Sequence, residues 1–121
     1  MTEPDFRQTW ETYTESWKAE SNEARRSAYA LCLVPECTYT DPNVAATGYD
    51  EIAEYMHGFQ QQMPGAGFVT RTFSTHHNTA LVQWDMIDGD NNVVGQGASF
   101  GAFEADGRLH AMTGFFDQNP A

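Results

Sequence analysis

The chain has 121 residues, 40% hydrophobic and 13% aromatic, which is the size of one domain with a real core; 1–121 is expected to fold as a single unit, and disorder is excluded. Six Lys and Arg stand against seventeen Asp and Glu, and the resulting net charge of −11 repels nucleic-acid backbones and anionic membranes. No basic–apolar–small leader opens the sequence and no apolar run reaches membrane-spanning length, so the expected place is the cytoplasm.

Phe6, Trp10, Tyr13 and Trp17 fall on one face of a first helix. Asn22 can cap a second, expected over 23–34, with Ala24, Ala28, Leu31 and Cys32 on its apolar side and Pro35 stopping it. The short run Cys37-Thr38-Tyr39-Thr40 reads as a strand that gives way to a loop at Asp41-Pro42. Thr47-Gly48-Tyr49-Asp50 has the form of a capping box opening a third helix, with Ile52, Tyr55, Met56, Phe59 and Met63 inward and Pro64-Gly65 at its end.

From there the period changes to two. Strands are expected over 68–76, 79–87, 93–104 and 109–117, joined by the turn signals His77-Asn78, 88–92 and 105–107. Short connections imply antiparallel hairpins, and helices segregated from such a sheet make an α+β fold. Gly95, Gly97 and Gly101 lie inside one strand, where they either bend the sheet into a half-open cone or relieve crowding. Cys32 and Cys37 have no His or second pair beside them and read as buried free thiols.

Several motifs in order resemble the nuclear transport factor 2-like superfamily: Trp17, Tyr39-Thr40-Asp41-Pro42, Gly48, Met63-Pro64-Gly65, His76-His77 and Val82-Gln83-Trp84. They continue with Gly97-Ala98-Ser99-Phe100, Asp106-Gly107-Arg108-Leu109 and Gly114-Phe115-Phe116. Within the superfamily the chain is most similar to SnoaL-like proteins and ketosteroid isomerases, over nearly its whole length. The resemblance implies a cone-shaped, curved antiparallel sheet wrapped around N-terminal helices, also known as a cystatin-like α+β barrel. It also implies a pocket for a small apolar molecule between sheet and helices, and a homodimer through the outer sheet face.

With Trp84 inward, alternation puts Val82, Met86, Gly97, Ser99, Met112, Gly114 and Phe116 on the pocket side. Tyr55, Phe59 and Met63 face them from the third helix. Tyr39 either lines the pocket or packs beneath the second helix.

Asp41 falls where ketosteroid isomerases keep the carboxylate that shuttles a proton between carbons. Apolar walls from Trp17, Tyr39, Tyr55 and Phe116 would suit a base; alternatively Asp41 caps the turn after its strand. Trp17 and Ser99 occupy the positions of the isomerases' oxyanion-stabilising Tyr and Asp, each with one donor to offer. The stretch Met112-Thr113-Gly114 lacks the acid that SnoaL-type cyclases carry there. His76 is the other candidate acid or base, with a hydrogen-bonded strand end as its alternative. No phosphate loop, nucleophile elbow or metal-ligand spacing is present, so neither cofactor nor metal is expected. Two functions follow: proton transfer next to a carbonyl (isomerisation, cyclisation or dehydration) with Asp41 as base, or non-catalytic binding with Asp41 structural.

Overall fold

Residues 5–116 are described by a computed structural model, in which three helices cover one face of a curved, unclosed sheet of six strands. Helix α1 spans Phe6–Ser16 and starts where the Asp5 side chain accepts the Gln8 N–H. Its stripe is buried as the spacing predicts, with Trp10, Tyr13 and the capping residue Trp17 all inside. Helix α2 spans Asn22–Cys32, with Ser21 rather than Asn22 as N-cap.

The inward face of α2 differs from the expected one. Arg25, Tyr29 and Cys32 are buried, whereas Leu31 is 73% exposed. Arg25 is held inside because its guanidinium reaches the Ala19 carbonyl and the Asn22 side chain, and Tyr29 brings far more surface to the core than an alanine would.

The chain passes directly from α2 into β1, Leu33–Asp41, so the helix ends before Pro35, which lies exposed within the strand. The register of β1 on its neighbour shifts between Leu33 and Thr38, and a bulge there tolerates a proline without an N–H. After Asp41 the chain turns back at once as β2, Val44–Thr47, paired antiparallel with β1. This strand was not expected. Helix α3, Gly48–Gln62, follows; the Glu51 carboxylate, not Asp50, accepts the Thr47 N–H, and Asp50 instead pairs with Arg26.

The last four strands form a meander: β3 Gly67–His76, β4 Thr79–Ile87, β5 Val93–Phe103 and β6 Leu109–Phe115. His77 and Asn78 both take positive φ, the geometry of a tight two-residue hairpin. The strand order is β2-β1-β6-β5-β4-β3, and β1 lies parallel to β6. That single parallel pair makes the sheet mixed; every other pairing is antiparallel, as expected. The expected extension of the last strand to Asp117 lies outside the described residues.

Candidate functional site

Between α1, α3 and the concave face of the sheet lies an open-mouthed cavity of about 920 Å³. Helix α1 contributes Trp10, Tyr13, Thr14 and Trp17, at the i, i+3, i+4, i+7 spacing of one helical face. Helix α3 contributes an inner row, Tyr55 and Phe59, and a row nearer solvent, Glu54, Gly58 and Gln62. The walls are aromatic. Trp17 makes edge contacts with Tyr39, Tyr55, Phe59 and Phe68 at centroid distances of 5.4–6.0 Å, and Phe68 continues the wall to Trp84.

Asp41 faces this cavity from the end of β1, held by three donors. The phenols of Tyr39 and Tyr55 donate to its Oδ2 at 2.6 and 2.9 Å, and the Asn43 N–H donates to Oδ1 at 2.7 Å. Oδ1 therefore keeps the greater unused acceptor capacity. Burial, reinforced by the neighbouring carboxylate, raises the pKa of Tyr39 and pushes Tyr55 up to about 12, so both phenols remain O–H donors at neutral pH.

Ser99 lies on β5 across the strand β6 from Asp41. Its Oγ accepts the Trp84 indole N–H at 2.9 Å, which leaves its own proton to give. The absent side chain of Gly114 brings these groups together: a Cβ there would sit 3.5 Å from the Tyr39 hydroxyl, 3.6 Å from Asp41 Cβ and 3.8 Å from Ser99 Oγ. The Tyr39 hydroxyl, the Asp41 side chain and the Ser99 hydroxyl thus stand around the position that a side chain at Gly114 would fill.

Of the remaining candidates, Tyr39, Tyr55, Phe59, Met63, Trp84, Met86, Gly114 and Phe116 line the cavity. Four do not line it. Val82 and Met112 face the expected way but are fully buried in packed core. Gly97 does not face open space, because the Trp84 indole folds back over it; a Cβ would overlap Trp84 Cη2 and Cζ2 and come within 2.7 Å of the Phe115 carbonyl oxygen. His76 is exposed at the far end of β3, roughly 26 Å along the strand from Phe68, and its ring meets His77 at the surface. Trp17 is in the cavity, where its ring forms a wall in edge contact with four aromatic neighbours.

Sequence reasoning took Tyr39 and Tyr55 as apolar walls and overlooked their hydroxyls. For Tyr39 a signal existed, since residues i and i+2 of a strand share a face and Tyr39 lies two before Asp41. Glu54, Gly58 and Phe68 were missed because nothing local to them says that α3 and β3 flank an opening. Both thiols are buried and free, and burial pushes Cys32 up to about 12 and Cys37 to about 11.

A curved sheet with helices across its concave face and an aromatic cavity between them is the NTF2-like fold. More narrowly, the chain belongs to the SnoaL-like domain family, whose model matches residues 6–112. A solved SnoaL-like family protein of Agrobacterium tumefaciens, named as a proposed isomerase, superposes with a TM-score of 0.84 at 28% identity, covering 93% of this chain and 97% of that one. An NTF2-like protein of unknown function from Cytophaga hutchinsonii gives 0.72 at 15% identity over 98% and 96% of the two chains. A proposed polyketide cyclase from Sinorhizobium meliloti gives 0.70 at 12% identity over 88% and 93%. The last two show the fold alone. No curated protein matches the chain.

Proposed function

We propose that this protein catalyses cofactor-free proton transfer next to a carbonyl group on a largely apolar substrate held in the aromatic cavity. Asp41 takes the proton through Oδ1, and the Ser99 hydroxyl donates to the carbonyl oxygen as negative charge develops there. Returning the proton to another carbon gives isomerisation; returning it to a neighbouring hydroxyl as its C–O bond breaks releases water and gives dehydration. Tyr39 and Tyr55 position the carboxylate. The observation that carries this reading is the convergence of Asp41, Tyr39 and Ser99 around the vacant side-chain position of Gly114. Proposed isomerase and cyclase names among the structural relatives agree with it in kind.

A substrate-independent test is hydrogen–deuterium exchange at the activated carbon of a bicyclic ketone such as β-tetralone in D₂O, followed by NMR. The expected result is exchange well above the buffer rate, lost in Asp41→Asn and reduced in Ser99→Ala. Exchange at the buffer rate despite bound ketone would remove the enzymatic reading. A binding module would then be favoured by one specific observation, the three donors already satisfying Asp41.

A further inference from the structure

The charged groups around the cavity are all of one sign, and several of its polar groups are committed to one another. The Tyr39 and Tyr55 hydroxyls are given to Asp41, and the Trp84 N–H to Ser99. The Thr14 hydroxyl is given to the Glu11 carbonyl and a Gln96 amide hydrogen to Asp85, while the Trp10 N–H has no partner and the Ser99 proton is free to give. On the acceptor side stand the carboxylates of Asp41 and Glu54 and the faces of the aromatic walls. No Lys, Arg or His lines the cavity among the described residues, and the residues outside that range include none of the three.

An anionic ligand would meet two carboxylates and no counter-charge. A neutral ligand would leave the Glu54 carboxylate and the aromatic faces without a partner of opposite charge. A cation finds both ring faces, whose negative quadrupoles attract it, and carboxylates that accept its N–H groups. The net charge of −11 adds a long-range attraction of the same sign.

We infer that the natural ligand of this cavity is a largely apolar molecule carrying a protonated amine, with the ammonium at the mouth between Glu54 and the aromatic wall. The inference rests on the cavity being the ligand site, as proposed above. Glu54 suits the role because it precedes Tyr55 on α3 and is exposed, so its charge carries little desolvation cost before the ligand arrives. It also leaves Asp41 and Ser99 to the carbonyl end of the same molecule.

All three tryptophans of the chain line the cavity, so intrinsic fluorescence reports its occupation. Three probes of one shape and different charge are titrated at neutral pH: adamantan-1-amine, adamantan-1-ol and adamantane-1-carboxylate. The amine is expected to bind about tenfold more tightly than the alcohol, and the carboxylate more weakly than either. Glu54→Gln should remove most of the amine's advantage and leave the alcohol unchanged, whereas the remote Glu20→Gln should change neither. Added salt should weaken the amine alone. Equal binding of amine and alcohol overturns the inference while keeping the cavity as a ligand site. Equal losses in Glu54→Gln and Glu20→Gln also overturn it, since bulk charge would then explain the preference. Absence of any fluorescence response to all three probes overturns the underlying assignment of the cavity itself.

Discussion

Gly58 sits inside α3, has ordinary helical backbone and lines the cavity, and a Cβ built on it meets no atom within 4 Å. Glycine in a helix interior is about 1 kcal/mol less favourable than alanine, and here no steric term opposes the exchange. Gly58→Ala should therefore stabilise the fold by about 1 kcal/mol. An unfolding entropy of roughly 2.1 cal/mol/K per residue gives about 0.25 kcal/mol/K for the whole chain, so the melting temperature should rise by about 4 °C. Gly97→Ala is the matched opposite. Its methyl would displace the Trp84 indole, cost roughly 1–3 kcal/mol of overpacking and lower the melting temperature by about 4–12 °C. Gly58→Leu should retain the stability gain, because leucine is nearly as good a helix former as alanine, yet weaken any cavity probe by filling the mouth. Calorimetry and fluorescence titration of the three variants check this together. A destabilised Gly58→Ala, or a neutral Gly97→Ala, would refute the assignment of open space to α3 and of contact to β5.

Asp41→Asn should destabilise the fold by about 2 kcal/mol in urea at pH 7, since three hydrogen bonds to a carboxylate become weaker bonds to a neutral amide, with the phenols turned to accept; an unchanged midpoint would show those bonds to be dispensable. At alkaline pH the buried thiols and phenols bind protons more tightly folded than unfolded, so stability present below about pH 9 should fall as pH rises toward 12, with Tyr55→Phe flattening the upper part. Denaturant titrations in steps of pH measure this slope, and a stability that rises over that window would contradict it. We further propose that the outer sheet face, where Leu81, Phe100 and Phe115 are exposed, meets a second copy; sedimentation should show a dimer that Phe100→Asp converts to monomer, and a monomeric wild type would end that proposal.

Much of the fold was legible because its signals are local. The stripe from Phe6 to Trp17, the stop at Pro64-Gly65 and the turn residues between the long strands each fix an element without reference to the rest. β2 was missed because Val44-Ala45-Ala46-Thr47 is too short and weakly patterned to announce a strand; only its pairing with Thr38–Asp41 makes it one. The apolar side of α2 was misplaced because buried Arg25 depends on a carbonyl at Ala19 that no helical periodicity reveals. In the site, alternation correctly says that Gly97 and Trp84 share a face, but not that one side chain lies across the other. The hydroxyl of Tyr55 reaches Asp41 from a different element, and that meeting is set by the docking of α3 on β1.

The strand made last among those described, β6, lies between β1 and β5 in the sheet. Until Leu109–Phe115 has left the ribosome, β1 and β5 both present unpaired edges, and Asp41 and Ser99 have nothing to hold them on a common surface. Folding is therefore gated by a contact spanning most of the sequence, which loop-closure entropy makes slow. A translation product cut short before Leu109 would carry every residue of the Tyr39–Asp41–Tyr55 cluster and two raw strand edges, a species suited to aggregation or to clearance by chaperones and proteases.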